Sequence, residues 1–535
     1  RSVAGEESDP AAGERDPMKL DFVRNTRRNL LAGAVATVAG MVLQFVNRTL
    51  FLWLMGPEYL GLNGLFTSVL GVLSLAELGF SSAVVYAMYK PIAQDDHELL
   101  CAYLRFFRNV YRGIGTAILA VGLCLLPFVP RLVHGSVPPE LNLRILYLLH
   151  LGGTAASYFL FAYRGSILHA YHRGDLIVHA NTLLKLAQYG VVLAVLLLTR
   201  DYYHYVIVSL AFKVFQSILT LLLARRHFPD LVPRGTLPKW RRQAVVRDVR
   251  ALFLHKVGGV ISYSVDNLVI SAMLGLTAVA AYGNYYYVVT TVAALVAVGY
   301  NSVTAGIGNR LHTEPREATF RLFMRMNRLT LAALAWCAAV MLALFQPFMR
   351  EWTKASPELV RHALTPVLMV AFFYVWQARQ VLLAFKAAGG LWQGDRWKPI
   401  VAGAANLALS VGLVRVLPEA YRLDGVVFAT LVTFLFIQMP WETRVVFATF
   451  FGRTRLHRFC RQQLSMALFS AALCVVTFCG VLPVPGDGWT GLLAKGAVAA
   501  VLSGLIVLPL FGRELFAAAI GREGEASLVK IRLAV

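Results

Sequence analysis

Apolar and polar positions in this chain do not alternate with the short periods of soluble elements; they come in blocks. Runs rich in Leu, Val, Ala and Phe are separated by short charged segments, and each run is near the ~20 residues a helix needs to cross a hydrocarbon core. Fourteen such spans are marked, at residues 29–54, 60–88, 110–130, 141–168, 176–199, 202–224, 251–275, 279–303, 328–349, 360–386, 398–416, 424–448, 463–482 and 490–511. The pattern predicts an all-α integral membrane protein with about fourteen transmembrane helices.

The loops set an orientation. With the N-terminus on the cytoplasmic side, basic residues crowd the inside segments 19–28, 90–112, 225–250, 310–328, 396–398, 453–461 and 513–532. The outside segments hold only Arg131, Arg200, Arg350, Lys354, Arg361, Arg415 and Arg422. That asymmetry is the positive-inside signature, and an even number of spans puts both termini in the cytoplasm. The first apolar run is too long for a signal-peptide core and has no cleavage site, so it should remain as a span.

An internal repeat divides the chain. The segment from Val46, VNRTLFLWLMGPEYLGLNGLF, matches the one from Val265, VDNLVISAMLGLTAVAAYGNYYY, pairing Asn47 with Asp266, Gly56 with Gly275 and Gly64 with Gly283. Pro127-Phe128 matches Pro347-Phe348, and Gly174-Asp175 matches Gly394-Asp395. The offset covers six spans, so the two copies share one membrane orientation and should enclose a cavity about an axis near the membrane normal. The expected organisation is a disordered tail (1–18), an N-lobe of six spans (19–224), a basic amphipathic linker (225–250), a C-lobe of six spans (251–448), and spans 13 and 14 with a cytoplasmic tail (449–535). The linker, with Trp240, Val245 and Val249 beside many arginines, reads as a helix lying on the anionic inner leaflet.

Composition sharpens the class. The 535 residues are 58% hydrophobic and only 15% charged, far from soluble averages. The net charge of +22 is compatible with nucleic-acid binding, but the arginines lie at span ends and not on a separate basic domain, which excludes that partner. The six cysteines, Cys101, Cys124, Cys337, Cys460, Cys474 and Cys479, form no CxxC pair, so neither a disulfide framework nor a metal site is expected. No P-loop, GxSxG or HExxH motif is present, and the reading is a non-enzyme without cofactors.

Two parallel six-helix lobes, a basic linker and two extra spans resemble the multidrug/oligosaccharidyl-lipid/polysaccharide exporter superfamily. Within it, AGGLWQGDRWKPIVAGAANLALSVGLV from Ala388, together with EYLGLNGLF and LAELGF in span 2, is similar to the flippases of O-antigen, capsule and exopolysaccharide pathways. The resemblance covers about residues 20–510. It implies a monomeric flippase of the bacterial cytoplasmic membrane that moves an oligosaccharide linked to a polyprenyl pyrophosphate, with a polysaccharide polymerase as a further partner. A lipid II flippase and a multidrug/cation antiporter of the same superfamily are the rival readings.

Ionisable residues inside spans are expensive and therefore candidates for function. Lys213 lies mid-span with Ser209, Gln216 and Thr220 at helical spacing; Lys185 lies in span 5, with Asn181 and Gln188 on its face. Arg164 and Arg379 occupy matching places in the two lobes, where snorkelling or a paired phosphate clamp would both suit a guanidinium. Arg48 sits near the outer end of span 1 and would serve release. These five cations are the expected substrate-binding set. Asp266 and Glu77 are the buried carboxylates, suited to a coupling ion or to an ion pair. Asn47, Asn63, Gln216, Ser262, Asn267 and Asn406 are the expected polar lining, to hydrogen-bond sugar hydroxyls.

Overall fold

The computed structural model describes residues 22–520, without 75–79, 136, 161, 172–173, 305–310, 312–313 and 392–393; side chains of 22–37, 80–83, 251–263, 298–304 and 513–520, among others, are also outside the description. The N-terminal tail, most of the C-terminal tail and Glu77 therefore lie outside it, as does the side chain of Ser262.

Among the described residues every regular element is helical. Ten helices are long and apolar enough to cross a membrane, and an eleventh is made by Leu143–Phe159 with Tyr163–Ala170, bent by 50°. The other three predicted spans correspond to Pro57–Leu73 together with Phe80–Ala93, to the second half of Lys239–Leu274, and to Leu276–Thr304. Each of these three runs partly through residues outside the description, and the last is diluted by Tyr282, Asn284 and Tyr285 to Tyr287.

The repeat is visible in the backbone. Helix α1 (Phe22–Met55) ends at Gly56 with φ +96°, and α2 (Pro57–Leu73) starts at once with proline at its first position. In the second half α9 (Lys239–Leu274) ends at Gly275 with φ +92°, followed by α10 (Leu276–Thr304). With ψ near 180° these are conformations that only glycine adopts without strain, and they are the pair that the repeat aligned.

The remaining helices of the first half are α3 (Phe80–Ala93), α4 (His97–Leu125), α5 (Leu143–Phe159), α6 (Ala162–Ala170), α7 (Gly174–Thr199) and α8 (Tyr202–His227). Those of the second half are α11 (Arg316–Trp352), α12 (Leu364–Ala378), α13 (Gln380–Ala388), α14 (Lys398–Val416), α15 (Arg422–Thr433) and α16 (Met439–Val446). Equivalent pairs touch in both: α1 with α7 and α9 with α14, α4 with α5 and α11 with α12, α5 with α8 and α12 with α15. The last helices, α17 (Leu456–Val481) and α18 (Gly488–Ile520), pack on α11 and on each other.

The segment 225–250 departs from the sequence reading. No separate amphipathic helix forms there: α8 runs to His227, residues 228–238 are irregular, and α9 starts at Lys239 and continues without a break into span 7. The irregular strap is tied down instead. Leu231 is buried, its carbonyl accepts from Arg164 at 2.9 Å, the Gly235 carbonyl accepts from Arg105 at 3.0 Å, and Phe228 lies against Tyr171. Carbonyls without secondary-structure partners need donors when they are covered, and these arginines supply them.

The end of the bundle carrying the Gly56 and Gly275 turns is called the turn face below, and the opposite end, carrying the strap, the strap face. The halves meet closely near the turn face. There α2 packs against α9 and α10, and a Cβ on Gly61 would lie 2.0 Å from the Leu276 carbonyl oxygen. The same end is stitched by His134 N donating to the Ser271 carbonyl at 2.9 Å and Ser271 Oγ donating to the Leu132 carbonyl at 2.7 Å.

Candidate functional site

Polar side chains gather where the halves face each other. Arg48 of α1 crosses to α10: its Nε donates to Asn284 Oδ1 at 2.7 Å, and its guanidinium stands 5.7 Å from the centre of the Tyr287 ring. Gly283 leaves room for it, since a Cβ there would come within 2.9 Å of the guanidinium. Asn267 of α9 donates to Ser68 Oγ of α2 at 2.8 Å. Among the described residues Asn47 Oδ1, Asn267 Oδ1 and Asn284 Nδ2 are buried without a hydrogen-bond partner. An unpaired buried amide group costs about 1–3 kcal/mol; Asn267 and Asn284 stand where the halves meet, and Asn47 stands beside Tyr205 of the first half.

Arg48 is the predicted cation that the structure sets most clearly between the halves, and it is engaged across the interface. Asn267 lies at the interface as well, whereas Asn47 and Asn63 lie beside Tyr205 in the first half. Lys213 and Lys185 are exposed, on α8 and α7, and neither ammonium has a hydrogen-bond or ion-pair partner among the described residues. Gln216 is half-buried on α8 with Lys213.

The expected pairing of Arg164 with Arg379 as a phosphate clamp is not formed. Arg379 is buried and bidentate on Glu442, at 2.8 and 2.6 Å, beneath the Phe434 ring. Glu442 also takes Lys398, whose ammonium reaches Asp395 at 3.0 Å; Lys386 reaches the same Asp395 oxygen at 2.6 Å. This buried group joins α12, α13, α14 and α16. Desolvated charges are tolerated only when paired and hydrogen-bonded, so Arg379 is held by its own half. Arg164 is held by the strap carbonyl and the Tyr163 ring. Glu442 went unnoticed in the sequence, although it is a carboxylate inside span 12 and the rule that singled out Asp266 applies to it equally.

Asp266 is buried in the second half. Asn406 Nδ2 donates to Oδ1 at 2.7 Å, while Thr430 Oγ1 and Tyr282 Oη donate to Oδ2 at 2.9 and 3.0 Å. The donors come from α14, α15 and α10, and Ser410 lies 3.5 Å from Asn406 Oδ1. All are neutral, so the ion-pair alternative for Asp266 finds no cation among the described residues. Asn406 is therefore a ligand of this carboxylate and not a lining of the interface. Tyr282 and Thr430 carry no charge at neutral pH that would mark them inside a span; only proximity in the fold reveals them.

Beside Arg48 lies an apolar cavity of about 570 Å³, lined by α1, α10, α11 and α18. Met41 and Phe45 form one wall, Trp336 and Leu344 another, and Tyr287 joins it to the polar interface. The Tyr287 hydroxyl donates to the Met41 carbonyl at 3.0 Å, leaving its ring between the cavity and the Arg48 guanidinium.

A family profile described as polysaccharide biosynthesis protein matches residues 26–304, just over half of the chain. The chain belongs to this family. Its fold is that of the flippases and exporters of the MOP superfamily. The lipid II flippase MurJ in an inward closed conformation superposes with a TM-score of 0.65, covering 91% of this chain and 100% of MurJ at 16% identity. An inward-facing multidrug resistance MATE family transporter of the MOP superfamily gives a TM-score of 0.55, covering 77% of this chain and 98% of its own at 16% identity. At such identity the likeness concerns the fold. A search of curated protein sequences returns no match.

Proposed function

We propose that the chain is a flippase. It carries an oligosaccharide linked to a polyprenyl pyrophosphate from the inner to the outer leaflet of a bacterial cytoplasmic membrane, for surface polysaccharide synthesis. The observation that carries this reading is the junction at Tyr287, where a cation and the Asn284 amide meet an apolar cavity. A molecule with an anionic head, a hydroxyl-rich glycan and an isoprenoid tail needs those three environments side by side. Arg48 offsets the desolvation of the phosphates, the amides of Asn47, Asn267 and Asn284 take the sugar hydroxyls, and the tail stays in the cavity. Lys213 and Lys185 serve the anionic head on its way through the first half.

Movement comes from rocking one half against the other. In the present arrangement the contact of Gly61 with Leu276 keeps the turn face shut, which fits an inward-directed state. Asp266 is the coupling carboxylate. Its charge, solvated only by neutral donors, is neutralised by a proton or a small cation. Asp266 and Asn267 are neighbours, the first bonded within its own half and the second across to Ser68. Occupancy at Asp266 thereby biases the contact between the halves.

The test is leaflet transfer of a fluorescent polyprenyl-pyrophosphate oligosaccharide in liposomes, against export of a small cationic dye. Transfer of the lipid without the dye supports the reading. Dye export under an ion gradient, with several glycolipids left in place, assigns the chain to drug transport.

A further inference from the structure

A second crevice, of about 800 Å³, lies wholly within the second half and α17, away from the interface between the halves. It opens between α12, the span containing α15 and α16, and α17. That span is irregular: Phe434–Gln438 and Phe447–Phe451 are π-helical turns. An i→i+5 turn inserts an extra residue and shifts the faces of the helix, and such bulges concentrate at functional sites. Here both turns line the crevice, through Leu435 and Phe447, with Phe459 and Leu464 of α17 opposite. Leu435 and Leu464 at its rim are 40% and 63% exposed, over a floor of buried Phe447 and Phe459, so the crevice opens toward the hydrocarbon.

Its strap-face end is basic. Arg444 and Arg453 both line it, both are exposed, and neither guanidinium has a hydrogen-bond or ion-pair partner among the described residues. The level is fixed by the neighbours. Arg444 is two residues from Glu442, which pairs with Lys398 at the first residue of α14, and Arg453 follows the helix end at Gly452. Both therefore stand at the depth where transmembrane helices end, the depth of lipid headgroups.

We propose that this crevice is a binding site for an anionic glycerophospholipid, with its phosphate between Arg444 and Arg453 and its acyl chains along Leu435, Phe447, Phe459 and Leu464. Charge complementarity selects the occupant: basic pockets between transmembrane helices hold anionic headgroups. Its separation from Arg48 and Tyr287 distinguishes it from the path of a translocated glycolipid, and it stands whether or not the flippase reading does.

The test is native mass spectrometry of the purified full chain with phosphatidylglycerol, phosphatidylethanolamine or polyprenyl diphosphate. Wild type should retain phosphatidylglycerol over phosphatidylethanolamine. Retention should fall about fivefold for each arginine replaced by glutamine in Arg444→Gln and Arg453→Gln, and recover in the corresponding lysine variants. Ala467→Trp, which fills the crevice without changing charge, should also release the lipid. Each variant is compared at matched elution volume and melting temperature. Equal retention by the double glutamine variant overturns the proposal. So does equal retention of the zwitterionic lipid, or displacement by polyprenyl diphosphate at equal concentration.

Discussion

The two halves share their helix packing and the glycine turns at residues 56 and 275, but they treat buried polarity in opposite ways. In the second half the ionisable groups answer one another: Arg379, Lys398 and Lys386 with Glu442 and Asp395, Asp424 with Thr365 and His362, Asp266 with Asn406, Thr430 and Tyr282. In the first half the predicted cations are placed differently. Arg164 leans on a backbone carbonyl of the strap, Lys185 and Lys213 are exposed on α7 and α8, and Arg48 reaches into the other half. In a low-dielectric surrounding a closed network stiffens the helices it joins. The second half is thus the firmer body, and under the proposed function the first would supply the charges that meet a passing phosphate.

The comparison breaks most sharply at Glu442. Glu442→Ala leaves Arg379 and Lys398 short of an anion, and losing one partner of a buried pair costs about 3–5 kcal/mol. A large drop in melting temperature is expected, and an unchanged one would mean that the network holds nothing together. Arg164→Ala, at the position that matches Arg379, should cost less, about 1.5–3 kcal/mol for a charged hydrogen bond. Its mark should be faster protease cleavage within residues 228–238 as the strap comes loose. Cleavage at the wild-type rate would dissociate the strap from Arg164.

A smaller structural effect is expected at Asp266. Asp266→Asn is nearly isosteric, so melting should shift little while transfer loses its dependence on the ion gradient; retained gradient dependence would move the coupling site elsewhere. Lys213→Ala marks the low end. An exposed site changes stability within about 0.5 kcal/mol, yet transfer of an anionic lipid should slow. Unchanged transfer would remove Lys213 from the path.

Much of this difference between the halves was hidden in the sequence. The spans, the repeat and the paired glycines were legible because hydropathy blocks and backbone punctuation are local signals. Asp266, Arg48, Asn47 and Asn267 stood out because polar residues in apolar runs are costly wherever they point. Their partners did not. Whether Arg379 meets a phosphate or Glu442, 63 residues away, depends on which helices the packing brings together. Nor could spacing tell that the stripe at Trp240, Val245 and Val249 would be drawn into the start of span 7, because a continuous helix and a surface helix share the same 3.6-residue period.

The account turns on Arg48 as the cation at the junction of the polar interface and the apolar cavity. The most direct measurement is leaflet transfer of the fluorescent polyprenyl-pyrophosphate oligosaccharide by wild type, Arg48→Lys and Arg48→Ala in liposomes, with binding of the glycolipid measured in parallel. Transfer and binding should be lost in Arg48→Ala and partly kept in Arg48→Lys, with melting temperature nearly constant. Full transfer by Arg48→Ala would contradict the account and reduce the contact with Asn284 to a fastening between the halves.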